Sequence, residues 1–206
     1  MPRGSRSQST AQASTDDARE RILAAAERCI DRYGFRKTTL DDIASEAGLA
    51  RPTVYRYFAD RDDLLVEAIT RHVRELNQRA HKSISRKGSF PEQIIEGVLY
   101  VADHARRDNL TRYVIDPAST SLGKRMIASG NLDVLRAELF EPYLDAADAN
   151  HELPPGLSRA DIYLWLGNLG RMVARSVEDG EADLTRYRSI LRRFVAPAFT
   201  VSDAGG

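Results

Sequence analysis

The chain has 206 residues, with 30 Lys+Arg against 30 Asp+Glu, so bulk charge argues neither for nor against a nucleic-acid partner and any such face has to come from local clustering. A hydrophobic content of 42% is ample for a core, and a lone cysteine, Cys29, excludes an internal disulfide framework and a multi-cysteine zinc site. No run of about 18 apolar residues occurs, and the opening MPRGSRSQSTAQAST has no apolar signal core, so the expectation is an intracellular, reduced, cytoplasmic protein without a membrane partner.

Residues 1–15 are polar, with no aliphatic side chain larger than Ala once past Met1, and read as a disordered arm. A first helix is expected over Thr15–Tyr33, where Ile22, Ala25, Ala26, Cys29, Ile30 and Tyr33 form one apolar stripe at helical spacing. Gly34 ends it and Phe35 anchors the turn. In the next helix Thr39 is the N-cap, Asp42 its reciprocal partner and Gly48 the stop. Pro52 suits the first turn of a third helix, Arg51 to about Phe58. Val54 and Phe58 face inward there, leaving Arg51, Thr53, Tyr55, Arg56 and Tyr57 outside with no acid among them. A solvent face normally carries Glu, Lys and Gln. Arg, Thr and Tyr are groups that hydrogen-bond phosphates and base edges, so the spacing predicts a helix-turn-helix that reads a DNA major groove. Asp60, with Asp63, caps a long fourth helix, about 61–85, that leaves the three-helix unit and enters the rest of the chain.

Beyond the break SRKGS every signal is helical and no alternating strand pattern or internal repeat occurs. Pro91 opens one helix, and short pieces are expected at Leu110–Ile115 and Leu122–Ala128. Asn131–Asn150 is periodic but carries Pro142, which predicts a kink. Ser158 and Asp161 cap a helix holding Gly167 and Gly170, whose missing side chains allow close approach of another group. Asp183 caps the last helix. The fold class is all-α: a three-helix DNA-binding domain over 16–62, then a larger helical bundle over 63–206, about nine helices in total.

The stretch ILAAAERCIDRYGFRKTTLDDIASEAGLARPTVYRYFADRDDLL resembles the TetR family of bacterial transcriptional repressors over roughly Ala18–Leu65. By position, the resemblance implies groove-facing roles for Arg51, Pro52, Thr53 and Tyr55, phosphate contacts for Thr39, Tyr57 and Arg61, either use for Arg56, and a further phosphate contact for Lys37. Ala50 departs from the pattern, standing where the family often has a Ser or Thr cap. The resemblance also implies a homodimer on a palindromic operator of double-stranded DNA, released by a small-molecule effector. Tyr100, His104, Tyr113, Met126, Phe140, Trp165, Asn168 and Met172 are the expected pocket lining, which favours an apolar or aromatic ligand. The last two helices carry more large apolar groups than one monomer face needs, and Leu166, Leu169, Val173, Val177, Tyr187, Leu191 and Phe194 are the expected dimer contacts. The fourth helix is the natural lever between the two functions.

Four scattered His residues, one Cys and no glycine phosphate loop supply no nucleophile–base pair or metal cluster, so no enzyme, cofactor or metal is expected. The alternatives are an activator or ligand-independent regulator of the same fold or, from another class, a helical small-molecule-binding protein with a vestigial reading head.

Overall fold

The computed structural model describes residues 5–84, 88–115, 117, 121–178 and 184–199, with the side chains of 5–15 and 177–178 left aside. These residues form ten α-helices and a closing 3₁₀ turn, and no strand occurs among them. The expected number was about nine. The chain divides into two compact units, Met1–Arg71 and His72–Gly206.

The first unit holds α1 (Ser5–Tyr33), α2 (Leu40–Ala47), α3 (Arg51–Tyr55) and the opening turns of α4 (Arg61–Ser83). α1 starts at Ser5, ahead of the expected Thr15, so the arm expected to be disordered over residues 1–15 has helical backbone from Ser5 onward, and residues 1–4 lie outside the described residues. The α1 stripe packs as its spacing predicts: Ile22, Ala25, Ala26, Cys29 and Ile30 are buried, joined by Leu23, whereas Tyr33 is 44% exposed. Leu40, Ile43, Ala44, Val54, Phe58, Leu64, Leu65, Ala68 and Ile69 complete this core. Two ion-pair sets hold α4 to α1 inside the unit: Arg71 reaches Glu20 at 2.7 Å and Glu27 at 2.8 Å, and Arg19 pairs with Glu67.

The second unit contains the rest of α4, then α5 (Phe90–Arg107), α6 (Asn109–Ile115), α7 (Ser121–Ala128), α8 (Asn131–Ala149), α9 (Arg159–Glu178) and α10 (Leu184–Phe194), and the 3₁₀ turn Ala196–Phe199. α5 is the hub. Ile94, Ile95, Val98, Leu99 and Ala102 on it are buried among α8, α9 and α10 side chains, because its apolar face is too broad for one neighbour. Pro142 lies inside α8 as expected, and Ser158 caps α9 by accepting from the Asp161 N–H at 3.1 Å. The expected cap Asp183 lies outside the described residues.

Polar groups lock the second unit as well. Arg188 pairs with Glu96 at 2.6 Å and Arg192 with Glu92 at 2.9 Å, joining α10 to α5. Asp108, between α5 and α6, accepts from the Leu110 N–H at 2.9 Å, from the Thr111 hydroxyl, and meets the His72 imidazole. Burial pushes the Asp108 carboxyl up, but His72, Thr111 and the backbone donor outweigh it and hold the group at about 2, below the usual 3.8.

Candidate DNA-reading surface and ligand cavity

The reading surface begins with two helix caps. Thr39 Oγ1 accepts from the Asp42 N–H at 3.1 Å while the Asp42 carboxylate accepts from the Thr39 N–H at 2.9 Å, a complete capping box. The Thr39 hydroxyl also donates to Asp42 at 2.6 Å, and this keeps the Asp42 carboxyl below its ordinary range. Gly48 then takes φ 65°, a left-handed conformation that closes α2 and that a side-chain residue adopts only with strain. The Leu49 N–H returns to Ala44 O at 2.9 Å. This fixes where α3 starts.

α3 is shorter than expected, ending at Tyr55 instead of Phe58. The N–H groups of Arg56 and Tyr57 bond three residues back, to Thr53 and Val54, so the last turn tightens before Asp60 caps the next helix through the Asp63 N–H at 2.7 Å. Ala50 stands at the α3 N-cap and offers no side-chain bond, with Pro52 in the first turn. Val54 and Phe58 are buried as expected. Arg51, Pro52, Tyr55 and Arg56 are exposed, and Thr53 and Tyr57 are half-buried. Arg51 donates to Tyr55 Oη at 3.2 Å and pairs with Asp41 at 3.1 Å, which raises its already high pKa further. Both ends of that ion pair are open to solvent, where such pairs exchange at little cost. Lys37 is exposed on the α1–α2 turn.

Arg61, an expected phosphate contact, is bonded within its own unit. Its Nε donates to Thr38 O at 2.7 Å, one terminal nitrogen donates to Phe35 O, and the other pairs with Asp62 at 2.8 Å. Two of its five N–H groups thus pin the turn between α1 and α2. Cys29 is buried, and burial first, with Glu46 and Asp42 nearby, raises its thiol pKa, so it stays protonated and inert.

The second unit holds a cavity of about 50 Å³ lined by Val73, Asn77, Val98, Val101, Val114, Ile115, Leu135, Arg136, Leu139, Phe140, Leu166, Gly167 and Gly170. Of the side chains expected to line a pocket, Phe140 alone is there. Tyr100 and His104 stack on each other with ring centroids 4.2 Å apart, and the His104 ring bonds Tyr100 O. Tyr113 is half-buried and Met126 fully buried, both off the cavity wall. Trp165, Asn168 and Met172 are exposed. The lining that sequence reasoning missed is aliphatic, plus Asn77 and Arg136. Gly167 was the available signal: a Cβ there would lie 2.8 Å from the Arg136 guanidinium, so glycine makes room for that charge.

The expected dimer contacts are likewise redistributed. Leu166, Leu169, Val173 and Leu191 belong to the core of the unit and Tyr187 is packed against it. The Val177 side chain lies outside those described. α9 carries an apolar stripe of Ile162, Leu166, Leu169 and Val173, and packing against α5 buries that stripe in the unit's own core. The face left outside carries Leu164 at 63% exposure, Trp165 and Met172, and Phe194 on α10 is 77% exposed.

Among the described residues no helix is long and apolar enough to cross a membrane, and no group of three or more His, Cys, Asp or Glu side chains is placed to hold a metal. Fold and site together define an all-helical protein with an N-terminal helix-turn-helix and a larger helical bundle.

Comparison with known proteins agrees. Residues 22–68 match the family model of bacterial regulatory proteins, tetR family. An HTH-type transcriptional regulator of Mycobacterium tuberculosis is 33% identical over 99 residues, 48% of this chain and 50% of that protein. The HTH-type transcriptional regulator EthR of Mycolicibacterium smegmatis is 32% identical over 94 residues, 46% of this chain and 42% of that protein. The chain therefore spans about half the length of the curated relatives it matches. Among solved structures, the transcriptional regulator FadR of Bacillus subtilis in complex with stearoyl-CoA aligns with a TM-score of 0.62 at 17% identity, over 87% of this chain and 98% of that one. A TetR family transcription regulator from Marinobacter aquaeolei aligns at 0.57 and 19% identity, over 87% and 96%. At such identities the likeness is one of fold. Residues 22–68 thus carry a tetR-type helix-turn-helix, and the relatives that match this half of the chain are helix-turn-helix transcriptional regulators.

Proposed function

We propose that the protein is a cytoplasmic transcriptional repressor that binds a palindromic operator as a homodimer and is released by a small-molecule effector held in its second unit. The observation that carries this reading is the outer face of α3, where Arg51, Pro52, Tyr55 and Arg56 stand exposed without an acid between them. Thr53, Tyr57 and Lys37 flank them, and Thr39 serves at the head of α2. These groups suit phosphate oxygens and base edges. Arg61 supports the surface from behind instead of touching DNA.

The dimer reading rests on the exposed apolar side chains of α9 and α10. Leu164, Trp165 and Met172 are exposed on α9 and Phe194 on α10, and large exposed apolar groups favour a partner surface. The effector reading rests on the mainly apolar cavity. Such a ligand acts only by favouring one conformation over another, with α4, which contributes to both units, as the lever.

The test is selection of a binding site from a random duplex pool with the full chain, followed by gel-shift titration of Tyr55→Ala on the selected duplex. The expected result is a palindromic consensus and a loss of at least tenfold in affinity for Tyr55→Ala, with helicity unchanged by circular dichroism. Failure to enrich any duplex, or an unchanged affinity in the variant, overturns the reading.

A further inference from the structure

The cavity of the second unit differs from an ordinary packing void in its two polar groups. Asn77 is 4% exposed and spends one amide hydrogen on Leu135 O at 2.9 Å, and no bond to its Oδ1 occurs among the described residues. Arg136 has an 18% exposed side chain, and of its three nitrogens Nη1 alone is bonded, to Asp133 at 2.7 Å. Asp133 is 69% exposed and lies one turn back on the same helix, so it meets the guanidinium from the solvent side. Nε and Nη2 have no hydrogen-bond partner among the described residues, although arginine offers five donors in a fork matched to a carboxylate. Burial pushes the Arg136 pKa down, the Asp133 carboxylate offsets part of this, and the neighbouring Arg171 adds a smaller downward push. A Cβ at Gly167 would meet the guanidinium nitrogens at 2.8 Å, so alanine there displaces the Arg136 side chain from this arrangement. The remaining wall is aliphatic apart from the Phe140 ring.

We propose, building on the reading of this cavity as the effector site, that its ligand is a compact aliphatic carboxylate whose acid group bonds Arg136 and the free amide hydrogen of Asn77 while its carbons lie among the valine, leucine and isoleucine side chains. A neutral aliphatic molecule makes no charge-assisted bond to the guanidinium, and a cation is repelled by it. The cavity of about 50 Å³ is a third of the roughly 150 Å³ that accommodates a benzene ring, so the ligand is short or the walls part around it.

Isothermal titration calorimetry of the full chain with butanoate, hexanoate and octanoate, each beside the primary alcohol of equal length, tests this. At least one acid is expected to bind tenfold or more tightly than its alcohol. Arg136→Met is expected to bring that ratio below about twofold while alcohol binding persists, and Gly167→Ala is expected to weaken the acid more than the alcohol. Equal binding of acid and alcohol, or an acid preference that survives Arg136→Met, overturns the carboxylate and leaves the cavity as an apolar effector site. Absence of binding by every acid and alcohol overturns the proposal for this ligand class, and DNA binding, measured on the selected duplex, then decides the regulator reading separately.

Discussion

Replacing Arg61 by Met separates a structural role from a DNA contact. The substitution keeps most of the apolar stem and removes donors to Phe35 O and Thr38 O and the pair with Asp62. Phe35 is 6% exposed and Thr38 1% exposed, so neither carbonyl finds water easily once its donor has gone. A hydrogen bond involving a charged donor contributes up to about 1.5–3 kcal/mol. With the Arg61 side chain 34% exposed, roughly 1 kcal/mol for each carbonyl is the appropriate figure, or about 2 kcal/mol in all. The pair with Asp62 adds little at that exposure. For a chain of this size, about 2 kcal/mol corresponds to a Tm lower by roughly 4–8 °C, read by circular dichroism. The DNA measurement is the slope of log affinity against log salt on the selected duplex. Each lost phosphate contact lowers that slope by about one. Arg61→Met is expected to leave the slope unchanged despite weaker binding, whereas Arg56→Ala lowers it by about one with little effect on Tm. A variant of Arg61 with full thermal stability and a reduced slope refutes the assignment and returns Arg61 to the phosphate backbone.

The other predictions concern one cap, one carboxylate and one face. Ala50→Ser supplies the missing α3 cap and is expected to stabilise the first unit by about 0.5–1 kcal/mol in urea unfolding, with no loss of DNA affinity. Asp108 is depressed from 3.8 to about 2, so it contributes stability that is complete above about pH 4 and lost as pH falls through about 2. Asp108→Asn is therefore expected to flatten stability against pH in that window, at a cost near pH 7 of about 2 kcal/mol; an unchanged acid limb in the variant excludes the Asp108 contacts as its cause. Leu164→Arg places a charge on the exposed face of α9 and is expected to convert a species of twice 23.0 kDa to one of 23.0 kDa in analytical ultracentrifugation, with helicity retained.

The first unit was legible almost residue by residue in the sequence, because its elements are set by local chemistry. Thr39 with Asp42, Gly48, Pro52 and Asp60 act within one helical turn, and the structure has each of them in the expected place. The stripe from Ile22 to Ile30 is narrow, so only one face of α1 was eligible for burial. The stop of α3 at Tyr55 was not legible, since the turn into the next helix decides it.

The second unit divides differently. Its helices could be counted approximately from periodicity and breaks, and the α9 stripe of Leu166, Leu169 and Val173 could be read as a buried face, but spacing could not say which surface covers it. Packing chose it, and in doing so sent Leu166, Leu169 and Val173 to the core and left Leu164, Trp165 and Met172 outside. The same choice brought Arg136 and Asn77 to a cavity wall, although a charged and an amide residue on amphipathic helices read as solvent-facing. Short-range caps and turns are written in adjacent residues, and so the amino-acid sequence by itself determined the helix-turn-helix. Which surface covers an apolar helix face, and which polar side chain is buried with it, depends on neighbours tens of residues away, and only the tertiary structure decided those.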